Sequence, residues 1–241
     1  MNKTAFTLTA SLAIAFSIAT YAKDEKKLKA EELVECPVSE NLRGHENTEW
    51  SIGYAFNLTD KRKKDLPRVF LIGDSICNGY QGEVRNILNE KMNVSYWVSS
   101  YCVTSPGYLK LLSFYLDEVK YDVIHFNNGL HSLSTPTADY AKGMKAALQL
   151  IRLKQPQAKI IWVASTPLKD ANKTAKAKEL NEASLKTISE LGGIAVNDLF
   201  KPMDELDRNV HWSDTFHFKK EARSIQAKKV SEACLSAIGK K

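Results

Sequence analysis

Apolar runs of strand length alternate with segments of helical spacing from Arg68 towards the end of this chain. The five runs occupy residues 69–72, 94–98, 123–126, 160–164 and 194–196. Segments between them, such as 138–154, repeat apolar residues at intervals of three and four. Short strand–helix alternation favours right-handed βαβ units and one parallel sheet that helices cover on both faces. We therefore predict an α/β protein whose functional site lies at the carboxyl ends of the strands.

The N-terminal residues do not share this pattern. Lys3 precedes an apolar stretch, residues 5–19, and the small residue Ala22 follows. This arrangement is typical of a signal peptide, and the stretch is too short to span a membrane comfortably. We expect cleavage after Ala22, a charged extension over 23–65, and a domain over 66–241. An uncleaved membrane anchor is the alternative; otherwise we expect a periplasmic or secreted protein without stable membrane insertion.

The charge of the chain is modestly basic, with 34 Lys and Arg against 28 Asp and Glu and a net charge of +6. Most of these residues are interspersed with acids, as on solvated helix faces. A basic surface also favours anionic polymers or anionic membranes. No basic cluster is interleaved with aromatic residues, so we expect no nucleic-acid partner. The sequence does not indicate an oligomeric state.

Four cysteines lie beyond the expected cleavage point: Cys36, Cys77, Cys102 and Cys234. An even number in an exported chain makes disulfides plausible. Cys77 and Cys102 follow strands that should be neighbours, so this pair is the first expectation, with Cys36 and Cys234 as the second. The chain has no Cys-x-x-Cys motif and no Cys/His cluster. We therefore expect no metal site and no cofactor.

Two short motifs carry the chemistry. Gly73-Asp74-Ser75 follows the first strand of the alternating region directly, and Asp214-Thr-Phe-His217 precedes the last helix. A serine hydroxyl is a weak nucleophile unless an adjacent base takes its proton. Histidine is a suitable base, and a carboxylate can orient its ring. The alternative is that Ser75 caps a helix and that Asp214 and His217 cap a loop.

Both motifs, in this order, resemble the opening and closing blocks of the SGNH hydrolases, or GDSL lipase/esterase superfamily. The resemblance covers about 68–238 and implies a flavodoxin-like three-layer α/β/α sandwich with a parallel five-stranded sheet. It also implies that Ser75 attacks an ester carbonyl, that His217 takes the proton, and that Asp214 holds the imidazole. The backbone amide of Ser75, at the start of a helix, would then stabilise the developing oxyanion.

The middle blocks of the family supply further oxyanion donors, and here this chain differs from the usual pattern. The resemblance places Cys102, or with less support Tyr101, where the second block has a donating glycine. It places His131 where the third block has asparagine, within Asn127-Asn128-Gly129-Leu130-His131. Some extracellular members of the superfamily carry the same Asn-x-Gly-Leu-His. A neutral imidazole N–H can donate one hydrogen bond, although protonation would make this pH-dependent.

Alternatives remain for these positions. Asn127 or Asn128 could supply the amide in place of His131, or could orient it, and His131 could be a structural turn residue. Asp74 is a candidate supporting residue beside the nucleophile. His125 alternates with apolar positions in its strand and is expected to be structural. Trp97, Tyr101 and Tyr108 are expected to pack in the core, with a sugar-stacking surface as the alternative.

The sequence as a whole favours an exported, metal-independent serine esterase. Because no long apolar insertion is present to act as a lipase lid, we expect a short acyl group, most simply acetyl on a carbohydrate. The expected partner is a small-molecule or polysaccharide ester. Lysophospholipase or thioesterase activity is the alternative reaction. A binding protein that has lost efficient catalysis through its altered middle blocks is the alternative of a different class.

Overall fold

The computed structural model describes residues 50–53 and 65–239. The expected signal peptide, its cleavage point, most of the charged extension and Cys36 lie outside the described residues. Within them, no helix combines the length and the apolar character that a membrane crossing requires.

Six strands form one sheet in the order β1-β3-β2-β4-β5-β6. Five of them are parallel, and β1 pairs antiparallel with β3 at one edge. The strands are β1 (Trp50–Gly53), β2 (Arg68–Gly73), β3 (Asn93–Ser99), β4 (Val123–Phe126), β5 (Lys159–Val163) and β6 (Ile194–Asn197). The parallel strands have the flavodoxin-like order 2-1-3-4-5. The predicted parallel five-stranded sheet is confirmed, and β1 extends it by an edge strand that was not predicted.

Helices cover both faces of the sheet and form the three expected layers. They are α1 (Ser75–Ile87), α2 (Tyr108–Glu118), α3 (Thr137–Lys154), α4 (Thr174–Leu191), α5 (Phe200–Asp204), α6 (Arg208–His211) and α7 (Lys220–Ala237), with a 3-10 turn at Leu130–Ser132. Buried residues of α1 and α7 pack on one face, and those of α2, α3 and α4 pack on the other.

Strand β2 contributes to both cores, which explains its uninterrupted apolar sequence. Val69 and Leu71 belong to the core under α1 and α7, whereas Phe70 and Ile72 belong to the opposite core. Successive side chains of a strand point to opposite faces, so a central strand of a covered sheet must be apolar at every position. Trp97 of β3 and Tyr108 of α2 are buried in this opposite core and stack with ring centroids 5.3 Å apart. Tyr101 is partly buried against the same core. The expected role of these aromatic residues in core packing is confirmed.

The expected Cys77–Cys102 disulfide is wrong. Both residues are buried free thiols, as is Cys234. The Cys102 thiol instead forms hydrogen bonds with the Thr104 hydroxyl (3.2 Å) and the Ser105 hydroxyl (3.1 Å). Both residues follow neighbouring strands at the same edge of the sheet, but the Cys77 side chain packs in the core under α1 and α7, whereas the Cys102 thiol bonds within its own loop.

Candidate active site

Ser75 lies at a tight turn between the end of β2 and the start of α1. Asp74 caps the helix, because its Oδ1 accepts a hydrogen bond from Ile76 N at 3.0 Å. A Cβ atom at Gly73 would lie 2.6 Å from Cys77 Cβ, a distance that real Cβ atoms do not reach. Glycine is therefore required for the close approach of strand and helix that sets the position of Ser75.

The loop between α6 and α7 carries Asp214 and His217 and is closed by backbone hydrogen bonds. Ser213 N donates to His217 O at 2.9 Å, and Lys219 N donates to His211 O at 2.8 Å. Within the loop, Asp214 Oδ1 accepts hydrogen bonds from Phe216 N (2.8 Å) and His217 N (2.9 Å). The Asp214 carboxylate therefore accepts hydrogen bonds from two backbone N–H groups as well as from the His217 ring.

The three predicted residues form one continuous hydrogen-bonded chain. His217 Nε2 lies 2.8 Å from Ser75 Oγ, and His217 Nδ1 lies 2.8 Å from Asp214 Oδ2. The carboxylate accepts from Nδ1–H, which leaves the lone pair of Nε2 directed at the serine hydroxyl. This arrangement can transfer the serine proton to the imidazole while the carboxylate stabilises the resulting cation.

Asp214 is ionised at neutral pH. Partial burial acts to raise its pKa, but hydrogen bonds from the backbone of His217 and Phe216 and from the His217 ring outweigh this effect and lower the pKa of Asp214 to about 2. Its side chain is 53% exposed, so solvent reaches one side of the carboxylate. The negative charge needed to orient and stabilise an imidazolium is therefore present throughout the physiological range.

The loop that follows β3 presents the backbone of Cys102. The Asn128 side chain clamps this residue from both sides, accepting a hydrogen bond from Val103 N (2.9 Å) and donating one to Tyr101 O (2.9 Å). Within the described part of the chain, Cys102 N–H itself forms no hydrogen bond. An N–H group that is fixed in direction and left unused is what an oxyanion donor requires.

Asn127 and Asn128 have structural roles at the carboxyl end of β4. Asn127 Nδ2 donates both to Val163 O (2.7 Å) and to Ser165 Oγ (3.2 Å), so both of its side-chain protons are engaged. Asn128 Oδ1 also accepts from Ser132 Oγ at 3.1 Å, which ties it to the 3-10 turn that carries His131. His131 is half-buried in this turn, and its role as an oxyanion donor stays a prediction.

A pocket of about 580 Å³ opens beside the serine and the imidazole, between the N-terminal ends of α1 and α7. Ser75 and His217 line it together with Lys219, Lys220 and Arg223, and among the described residues no carboxylate lines it. These cations were not predicted as site residues. Their position at a predicted helix start, where acidic residues are normally preferred, is the feature of the sequence that could have indicated them.

A second, apolar groove of about 600 Å³ lies on the other side of the histidine loop. Leu133, Leu168 and Phe216 contribute its apolar lining. Phe216 is 38% exposed, and its ring packs edge-on to His217 with centroids 6.5 Å apart. Among the described residues, no group of three His, Cys, Asp or Glu side chains is placed to hold a metal ion.

No protein-family model matches this sequence, and no curated protein is significantly similar to it in sequence. Solved structures are similar in fold. A carbohydrate esterase family 3 protein from Talaromyces cellulolyticus shares 13% identity with a TM-score of 0.58, covering 72% of this chain and 99% of its own. An acetyl esterase mutant solved with an acetate ion shares 12% identity with a TM-score of 0.60, over 72% and 99% of the two chains.

A candidate SGNH hydrolase from Slackia heliotrinireducens is similar over 70% of this chain and all of its own, with 13% identity and a TM-score of 0.57. These similarities agree with the strand order and the helix layers described above. The chain has the α/β/α fold of the SGNH hydrolases.

Proposed function

We propose that this protein is a serine esterase in which Ser75 is the nucleophile, His217 the general base and Asp214 the residue that orients the imidazole. The observation that carries the proposal is the unbroken hydrogen-bonded chain through the three side chains, with 2.8 Å at the reacting end. Ser75 Oγ forms a bond to the ester carbonyl carbon as its proton moves to His217 Nε2. The imidazolium then returns that proton to the leaving alcohol, and water releases the acid by the reverse sequence.

The negative charge that develops on the carbonyl oxygen requires hydrogen-bond donors that are already in place. We assign this role to the backbone N–H groups of Ser75 and Cys102 and to the His131 side chain. Ser75 N–H is among the first amides of α1, which have no acceptor within the helix. The Asn128 clamp on the residues that flank Cys102 supports the second assignment. Removing one such donor typically costs roughly 10²- to 10³-fold in rate.

We assign a short acyl group, most simply acetyl on a carbohydrate, as the substrate class. Two observations support this assignment. Proteins with a similar fold include a carbohydrate esterase and an acetyl esterase solved with acetate. In addition, the segments between the strands contain no long apolar insertion of the kind that forms a lipase lid. The N-terminal sequence supports export, and the mature protein is then expected to begin at Lys23.

The apolar groove beside Phe216 favours a second candidate, cleavage of longer acyl esters such as lysolipids. A series of p-nitrophenyl esters of increasing acyl length distinguishes the two. Highest kcat/KM on the acetate supports the short-acyl assignment. A maximum at eight carbons or more, lost in Phe216→Ala, would support the lysolipid assignment instead.

The test of the function itself is hydrolysis of p-nitrophenyl acetate by the wild type and by Ser75→Ala. We expect a rate at least about 10⁴-fold lower for the variant. Ser236→Ala is a matched control, because Ser236 is an exposed serine in the last turn of α7 and lies outside the relay. Equal rates for Ser75→Ala and wild type would reject the proposal and favour the binding-protein alternative.

A further inference from the structure

We propose that the pocket beside Ser75 binds a carboxylate on the alcohol part of the ester, so that the preferred substrates are short-acyl esters of uronic-acid carbohydrates. This inference rests on the esterase function proposed above and names its substrate class. Four observations on α1 and α7 carry it: the location of the pocket, the sign of its charges, the uncapped end of α7, and a buried amide in its lining.

The location of the pocket assigns it to the leaving group. His217 lines the pocket, and the same Nε2 that takes the serine proton must later protonate the departing alcohol. The candidate oxyanion donor Cys102 belongs to the loop after β3 and does not line this pocket. A group that fills the space between α1 and α7 is therefore on the alcohol side of the scissile bond rather than the acyl side.

The charged side chains that line the pocket are all positive. Lys219, Lys220 and Arg223 line it without any acidic side chain, and no ion pair forms at any of the three within the described residues. Glu221 lies between them in sequence but does not line the pocket, and Asp214 is already engaged by His217 Nδ1 at 2.8 Å. Unpaired cations that share one concave surface attract an anion and strengthen its binding as water is displaced.

The cations also lie at the amino end of α7, where positive charge interacts unfavourably with the helix dipole. The amino end of a helix carries a partial positive charge, so each cation there is unfavourable. The N-cap residue of α7, Lys219, makes no side-chain capping bond, and the backbone N–H groups of residues 220–222 have no acceptor in the described structure. An anion in the pocket would relieve the repulsion and offer an acceptor to amides at this helix end. Local conflicts of this kind concentrate at functional sites.

A buried amide provides an independent indication. Gln226 is fully buried and lines the same pocket, and neither its Oε1 nor its Nε2 has a hydrogen-bond partner among the described residues. Leaving a buried polar group without a hydrogen bond is unfavourable, so such a group points to a partner that occupies the pocket. An amide that can both donate and accept suits a sugar hydroxyl or carboxylate.

The polar lining favours a sugar over a lipid. Asn78 and Ser213 contribute to it beside the cations, whereas the apolar groove lies on the other side of the histidine loop, at Phe216. An acyl chain would gain little by entering a pocket of lysines, an arginine and amides. A planar carboxylate on a hydroxylated ring matches the fork of an arginine and the adjacent ammonium groups.

The kinetic test compares two acetyl esters that differ only at one carbon, an acetylated methyl glucuronide and the equivalent methyl glucoside. We expect wild-type kcat/KM to favour the glucuronide by about 10-fold or more, and the preference to fall with added salt. Arg223→Gln and Lys220→Gln should each reduce the preference several-fold. Lys228→Gln, an exposed lysine of α7 outside the pocket, should retain it. Equal kcat/KM for the two esters in the wild type, or a preference that survives both pocket variants, would overturn the proposal.

A binding test separates this inference from the esterase function. Titration of Ser75→Ala with a galacturonate tetramer and with a neutral tetrasaccharide of the same length requires no turnover. Binding of the uronate alone, weakened by Arg223→Gln in the same background, supports the pocket assignment even if no ester is hydrolysed. No binding of the uronate, or binding only to phosphatidylglycerol vesicles, would overturn it even if the esterase is active.

Discussion

Ser75 Oγ and His217 Nε2 lie 2.8 Å apart, although 142 positions separate the two residues in the chain. The serine begins α1 after the central strand β2, and the histidine lies in the loop that leads into α7. The packing of α7 on α1 brings the two together, and the Ser224 hydroxyl adds a 2.8 Å hydrogen bond to Glu83 across this interface. The geometry of the candidate active site therefore depends on one helix pair on one face of the sheet.

Asp214→Asn should reduce kcat on p-nitrophenyl acetate by roughly 10³- to 10⁴-fold. The amide no longer carries the charge that stabilises the imidazolium, and its NH₂ group can favour the wrong tautomer of His217. The measurement is steady-state kinetics at neutral pH, with circular dichroism to verify folding.

Asp198→Asn is the matched control for this substitution. Asp198 Oδ1 also accepts two backbone hydrogen bonds in an exposed turn, from Phe200 N (2.9 Å) and Lys201 N (3.1 Å), but it contacts no imidazole. Its kcat should stay within about 2-fold of the wild type, as expected for a surface change away from the reacting atoms. Similar losses in both variants would show that the effect of Asp214→Asn comes from the turn and not from the relay.

Asn128→Ala should slow catalysis as well as destabilise the fold. The substitution removes the bonds to Val103 N and Tyr101 O on either side of Cys102, so the Cys102 N–H loses its fixed direction. We expect kcat to fall roughly 10- to 100-fold if this N–H is an oxyanion donor. The loss in free energy of unfolding should be about 1–3 kcal/mol, since buried backbone groups are left unsatisfied.

Asn181→Ala separates these two effects. The Asn181 side chain clamps Ser165 in a similar way, accepting from its N–H and donating to its carbonyl, both at 2.9 Å. The stability loss should be similar, but kcat should change little because no proposed donor is attached to that clamp. A comparable fall in kcat for both variants, measured below their unfolding transitions, would argue against Cys102 as a donor.

Gly129→Ala should destabilise the protein through a steric conflict. A Cβ atom at this position would lie 1.7 Å from Ser165 Oγ and 2.8 Å from Ser165 Cβ, although its φ of −151° is accessible to any residue. We expect a loss of at least about 1–3 kcal/mol in urea denaturation, as for overpacking. Ser165→Gly removes both conflicting atoms, so the double variant should recover part of the loss. A loss in free energy of unfolding in the double variant equal to the sum of the two single losses would contradict this explanation.

His125 should make stability depend on pH. It is fully buried and bonded to Asn197 Nδ2 at 3.1 Å, as its expected structural role requires, and burial lowers the pKa of His125 to about 3. The unfolded state, with an ordinary histidine pKa of about 6.5, therefore binds a proton that the folded state refuses between about pH 6.5 and 3. Stability contributed by neutral His125 is present above this window and is lost as the pH falls through it.

Urea unfolding at pH 7.5 and pH 5 measures this dependence. One histidine with this shift should cost about 2 kcal/mol between the two values. His125→Gln removes the titrating group, so its stability should fall by correspondingly less over the same interval. An identical pH dependence in wild type and variant would show that other groups are responsible.

The parallel sheet and the residues of the relay were predictable because both leave local signals in the sequence. Continuous apolar runs such as 69–72 are produced by strands buried on both faces, and Gly73 and Ser75 must follow one of them directly. Strand β1 was not predicted, because four residues in a charged segment carry little periodic signal. Its identity as a strand depends on pairing with β3, where Trp50 lies opposite Ser99.

The geometry of the loops was less predictable because, like the pairing of β1 with β3, it depends on contacts between residues far apart in sequence. Adjacent strands correctly indicated that Cys77 and Cys102 lie at one edge, but disulfide formation depends on the direction of each side chain, which spacing does not specify. Asn128 was considered as an amide donor, whereas its partners are Val103 N and Tyr101 O of another loop. The cationic pocket between α1 and α7 likewise depends on the packing of two helices far apart in sequence.

Covalent labelling measures whether Ser75 is a nucleophile activated by His217. Incubation with a fluorophosphonate, followed by intact-mass measurement and peptide mapping, should show one adduct on Ser75 in the wild type. His217→Ala should label far more slowly, since the hydroxyl then lacks the base that lies 2.8 Å away. An unmodified Ser75 under conditions that label a control serine hydrolase completely, or labelling at the same rate in His217→Ala, would show that Ser75 is not a nucleophile activated by His217.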